Sequence, residues 1–113
     1  MPKKILIADD DAVLRSMIRE ALERSGQYEL QFTSSTEGTR EIIPRVKPDL
    51  LIIHEMDGGG VAFGDKQYEL GMLVIITSAD IQNTTGAPQI RRDSVGFLER
   101  LLAMIAELLA SRS

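Results

Sequence analysis

The sequence predicts an α/β fold: a doubly wound parallel sheet between two layers of helices. Three observations lead there. Leu50-Leu51-Ile52-Ile53 is a continuous apolar run, preceded by Pro48-Asp49 and followed by His54, as in a strand buried on both faces. Ile5-Leu6-Ile7-Ala8 and Leu73-Val74-Ile75-Ile76-Thr77 are two more such runs. Stretches between them place apolar residues three and four apart, the period of an amphipathic helix. Strands buried on both faces need a covering layer on each side. Strand–helix alternation with right-handed crossovers then gives a three-layer sandwich.

The first strand, Ile5–Ala8, stops at Asp9-Asp10-Asp11, and Asp11 is placed to cap a helix. That helix carries Val13, Leu14, Met17, Ile18, Ala21 and Leu22 on one face and ends at Gly26. Tyr28-Glu29-Leu30-Gln31-Phe32 alternates apolar and polar residues, which predicts a half-buried strand near an edge. Ser35 or Thr36 caps a second helix reaching to about Val46, with Pro44 late in it as a kink or early stop. The central strand Leu50–His54 follows. Beyond it lie Gly58-Gly59-Gly60 and a short, poorly patterned helix over Val61–Leu70. After the strand Leu73–Thr77, Asp80–Pro88 has turn composition and reads as a loop. A brief strand is expected over Gln89–Arg92. Asp93 or Ser94 then caps a terminal helix striped by Val95, Leu98, Leu101, Leu102, Ile105, Leu108 and Leu109.

Composition narrows the function. A chain of 113 residues, 43% hydrophobic and 27% charged, suits one domain, expected over 1–113. Aromatics are only 4%, so aliphatic packing carries the core. A net charge of −4 argues against nucleic acid as a direct partner. Cysteine is absent, which excludes disulfides, thiol catalysis and thiolate metal sites. No apolar run approaches the roughly 20 residues of a membrane span. The start, Met1-Pro2-Lys3-Lys4, leads into a strand without a signal-peptide core. A cytoplasmic protein, with no membrane association, is expected.

In open sheets of this kind ligands gather at the carboxyl ends of the strands. His54 ends the central strand and Asp9-Asp10-Asp11 follow the first, so these residues are the candidate site. The same stretches carry a resemblance. Lys3-Lys4-Ile5-Leu6-Ile7-Ala8-Asp9-Asp10-Asp11-Ala12-Val13-Leu14-Arg15 resembles the opening of response-regulator receiver domains of two-component signalling. Lys47-Pro48-Asp49-Leu50-Leu51-Ile52-Ile53 is similar to that family's third strand. Val74-Ile75-Ile76-Thr77-Ser78-Ala79 resembles its fourth strand and the hydroxyl residue after it. The resemblance implies a five-stranded parallel sheet of receiver or flavodoxin-like order 2-1-3-4-5. It also implies phosphorelay signal transduction through a protein partner such as a histidine kinase.

Carried onto this chain, Asp9 and Asp10 take the family's acidic, magnesium-binding positions. His54 stands at the phosphoacceptor position, Ser78 at the hydroxyl switch position, and Met56 would offer the backbone carbonyl that joins Asp10 as a metal ligand. Two positions depart from the pattern. His54 replaces the acceptor aspartate, and Arg91, Arg92 and Asp93 stand near the expected lysine. The segment between Ala79 and Gly86 is too short for the family's fourth helix, which is expected to be shortened or lost.

Aspartate supplies both a nucleophile and a hard oxygen ligand for magnesium, whereas imidazole is a poor magnesium ligand. The leading expectation is therefore a pseudo-receiver, not an enzyme, that acts by protein–protein interaction. No cofactor is expected, and any Mg²⁺ binding is expected to be weak. An imidazolium would be favoured beside the acids, so His54 is expected to pair with Asp10. Two other readings stay open. One is a phosphorylatable response regulator using another carboxylate such as Asp57. The other is a metal or small-molecule sensor at the Asp9/Asp10/His54 pocket. Loss of a covering helix would also leave apolar side chains of the Leu73–Thr77 strand or the terminal helix underprotected on the Asp80–Pro88 flank, a surface for a signalling partner or a homodimer.

Overall fold

Five strands and four helices form within residues 2–79 and 86–111, the part of the chain that the computed structural model describes. In chain order they are β1 (Lys3–Ala8), α1 (Ala12–Ser25), β2 (Tyr28–Thr33), α2 (Thr36–Val46), β3 (Leu50–His54), α3 (Gly60–Glu69), β4 (Leu73–Ser78), β5 (Gln89–Arg91) and α4 (Phe97–Ala110). All strands are parallel, in the order β2-β1-β3-β4-β5. This is the doubly wound α/β fold, with β3 at its centre and β2 on an edge.

Alternation along each buried strand feeds two separate cores. Ile5, Ile7, Leu50, Ile52 and Ile75 face α1 and α4, where Ile18, Leu22, Leu101 and Ile105 meet them. Leu6, Leu51, Ile53, Val74 and Ile76 face the other way, toward Val61 of α3 with Ile42 and Ile43 of α2 packed alongside. Each fully buried aliphatic side chain contributes about 1.5–3 kcal/mol relative to exposure. The continuous apolar runs exist because both sheet faces are covered.

The helix ends follow local chemistry. Asp11 accepts hydrogen bonds from the Val13 and Leu14 N–H groups, and Gly26 closes α1 in the left-handed region at φ 65°. Ser35 caps α2 through the Gly38 N–H. Helix α2 runs through Pro44 to Val46, so the proline does not end it early. Its ring lies in the last turn, where loss of one N–H is tolerated better than in mid-helix. Gly64 lets α3 sit close on the sheet: a Cβ there would lie 2.6 Å from Ile53 Cγ2.

Three expectations need correction. Helix α4 begins at Phe97, after Gly96 at φ 72°, and not at Asp93 or Ser94. Val95, assigned to its apolar stripe, is 96% exposed, and Phe97 enters the core instead. The apolar flank expected beside β4 is not found among the described residues: Val74 to Ser78 are all buried. Ala87 packs into the α2–α3 core, and the Pro88 carbonyl accepts the Ile76 N–H at 2.8 Å, which extends the β4–β5 pairing. Residues 80–85 of the expected Asp80–Pro88 loop lie outside the described residues. No helix occurs between β4 and β5 among the described ones.

Candidate functional site

The parallel register brings the carboxyl ends of β1, β3, β4 and β5 to one edge of the sheet. Asp9, one residue beyond β1, is only 2% exposed. Its main chain is fully engaged: its N–H donates to the Thr33 carbonyl at 3.0 Å, and its carbonyl accepts Arg15 Nη1 at 2.6 Å. Its carboxylate accepts the Asp11 N–H at 2.9 Å. A charge so buried needs a partner. Arg92, one residue past β5, supplies it: Nη2 lies 3.2 Å from Asp9 Oδ2 and 3.5 Å from Oδ1. The same nitrogen is 3.7 Å from Asp11 Oδ2. The Arg92 side chain is 17% exposed, so water screens this pair far less than it screens the surface ion pairs. Asp10, between the two paired acids, is exposed.

His54 lies opposite Thr77 in the β3–β4 register, and its Nδ1 is 2.8 Å from the Thr77 carbonyl oxygen. A carbonyl can only accept, so Nδ1 carries a proton and donates. That bond ties the ring to β4. Among the described residues no ion pair joins His54 to Asp10, so the expected pairing is corrected. Arg92, not the imidazole, is the cation seated on the acidic residues.

The groups that follow β3 have structural partners. Glu55 Oε1 accepts the Val61 N–H at 2.8 Å, at the start of α3. Asp57 adopts φ 45° and binds the first residue of α2 with both oxygens. Its Oδ1 accepts the Thr36 hydroxyl at 2.7 Å and its Oδ2 accepts the Thr36 N–H at 3.2 Å. The Met56 carbonyl accepts the Gly59 N–H at 3.0 Å and lies 3.4 Å from the Thr36 hydroxyl oxygen, whose proton goes to Asp57. The Met56 carbonyl expected to join Asp10 as a ligand thus already holds the Gly59 N–H, and Asp10 is exposed. Among the described residues no group of three or more histidine, cysteine, aspartate or glutamate side chains is arranged to hold a metal.

Ser78 is buried at the end of β4, and its carbonyl accepts the Arg92 N–H at 3.0 Å. The Ser78 main chain thus helps to hold the Arg92 backbone in place. Of the predicted site residues, Asp9, His54 and Ser78 gather at the strand ends, and Asp10 stands at the rim. Arg92, which pairs with Asp9, has no assigned role in the sequence reading. Its signal was its position just after the fifth strand, where the resemblance expects a lysine.

No protein-family model and no curated protein matches this chain. Solved structures do. A CheY-like response regulator receiver domain protein from Methanospirillum hungatei JF-1 is 23% identical with a TM-score of 0.83, over 98% of this chain and 96% of that one. A response regulator from Thermotoga maritima is 14% identical with a TM-score of 0.77, over 97% of this chain and 99% of that one. The response regulator domain of Thermotoga maritima CheB is 19% identical with a TM-score of 0.77, over 95% and 96% of the two chains. The fold is that of a response-regulator receiver domain along nearly the whole chain.

Proposed function

We propose that this protein is a receiver-like module of two-component signalling that works by binding a protein partner and accepts no phosphoryl group. The observation that carries the reading is His54 at the carboxyl end of β3, with its Nδ1 proton given to Thr77. Phosphoryl transfer to a carboxylate needs a nucleophilic oxygen beside a cation that neutralises the developing charge. An imidazole at this position offers no such oxygen. The nearby carboxylates of Glu55 and Asp57 hold the starts of α3 and α2, which supports the same reading over Asp57 as a substitute acceptor.

The partner of this reading is another signalling protein, of the histidine-kinase type or downstream of one. Self-association is the alternative, distinguished by sedimentation velocity across a concentration series. A cytoplasmic setting and the lack of enzymatic activity belong to the same reading. The test is incubation with Mg²⁺ and a small phosphodonor such as acetyl phosphate, followed by intact mass. An unchanged mass is expected. A stoichiometric gain of one phosphoryl group, lost on Asp57→Asn substitution, would establish the rival acceptor.

A further inference from the structure

The donor set at the strand ends does not fit the divalent cation that receiver domains employ. Mg²⁺ requires near-octahedral oxygen ligands at about 2.0–2.1 Å and gives up its waters reluctantly. Here the Asp9 carboxylate faces the Arg92 guanidinium at 3.2 Å, and Asp11 Oδ2 is 3.7 Å from the same nitrogen. Asp11 Oδ1 caps α1. The Met56 carbonyl already accepts the Gly59 N–H, and the central strand ends in a nitrogen donor tied to Thr77.

We propose that Arg92 is a built-in replacement for the metal: its guanidinium pairs with Asp9 and lies beside Asp11, keeps Mg²⁺ out, and holds the β1–α1 loop and the end of β5 together without any ion. This inference rests on the binding-module reading and deepens it, since it says what keeps the site in one state. Three features support it. The guanidinium is tethered, so it competes as an intramolecular ligand at high effective concentration. Asp9 is buried, so a hydrated ion would have to displace the arginine and lose water to reach it. The backbone of Arg92 is anchored at the Ser78 carbonyl, which positions the side chain before any partner arrives. The domain is then held in a single arrangement whatever the Mg²⁺ or phosphodonor level.

The experiment is a Mg²⁺ titration of the full ¹⁵N-labelled chain, with MgCl₂ alone as the probe and NaCl at matched ionic strength as control. The backbone amides of Asp10, Asp11 and Arg92 are followed in wild type and Arg92→Met. Wild type is expected to show no saturable shift up to tens of millimolar. Arg92→Met is expected to gain saturable shifts at Asp10 and Asp11, and a Mg²⁺-dependent rise in Tm. Saturable millimolar binding to wild type overturns the proposal, and that arm requires no variant to fold. A folded Arg92→Met that ignores Mg²⁺ overturns it too. An Arg92→Met chain that folds only when Mg²⁺ is added supports it. Mg²⁺ binding to wild type without covalent mass gain would defeat this inference and leave the binding-module reading standing. Stoichiometric mass gain would defeat that reading.

Discussion

Asp9 and Arg92 show how one ion pair can dominate the energetics of a site. The aspartate has almost no exposure, and the arginine is its only side-chain counter-charge among the described residues. Removing one partner of a buried pair leaves an uncompensated charge and costs about 3–5 kcal/mol, whereas removing both costs much less. Arg92→Met is therefore expected to lower unfolding stability by roughly 3 kcal/mol, toward the low end because the guanidinium retains some solvent contact. Asp9→Asn in the same chain should restore at least about 1 kcal/mol of that loss. Urea unfolding of the four members of the cycle measures both quantities, and strict additivity would show that the two side chains do not interact. His54 belongs to the same set of local substitutions. Its Nδ1–H donates to the Thr77 carbonyl, so the ring has a partner without an acid beside it.

The helices depend on carboxylates borrowed from other parts of the chain. Asp57 lies after β3 but holds the first residue of α2, and Glu55 holds the second residue of α3. These contacts join the β2–α2 and β3–α3 connections across the carboxyl edge of the sheet. Asp57→Ala removes two hydrogen bonds to Thr36 and places alanine at φ 45°. A net loss of about 1–2 kcal/mol is expected, since hydrogen bonds to charged groups are worth roughly 1.5–3 kcal/mol and this one is partly exposed. Chemical denaturation reads the loss, and hydrogen exchange at the Thr36 and Glu37 amides localises it to the start of α2. No change in either would mean that Asp57 is a bystander and remains free for chemistry.

The sheet divides the molecule into two apolar layers that share the same backbone. Tyr28 packs against the α1–α4 layer and Tyr68 against the α2–α3 layer, and the chain holds two tyrosines and no tryptophan. Tyr28→Phe and Tyr68→Phe variants therefore leave one fluorescent reporter on each face. Coincident urea midpoints within each variant, by fluorescence and far-UV circular dichroism, are expected for one cooperative domain. A fluorescence midpoint offset from the circular dichroism midpoint in either variant would reveal layers that melt separately. For a module held in one arrangement by an internal ion pair, single-step unfolding without added metal is the consistent behaviour.

Much of this was legible along the chain because its causes are local. Four aliphatic residues in succession at Leu50–Ile53 imply two covered faces wherever the strand sits, and Asp11 and Gly26 bracket α1 through their own backbone neighbours. The histidine at the end of β3 is a matter of chain order alone. Where α4 begins was less legible, because the Val95 side chain fits the helical period but the turn at Gly96 points it into water. The occupant of the acidic site was decided by packing. Arg92 reaches Asp9 across a sequence separation of 83 residues, and His54 chooses Thr77 across 23, through strand register and rotamer. No periodicity in the chain records such pairings. They exist because parallel strands bring distant residues to one edge, where each buried charge takes the nearest group able to satisfy it.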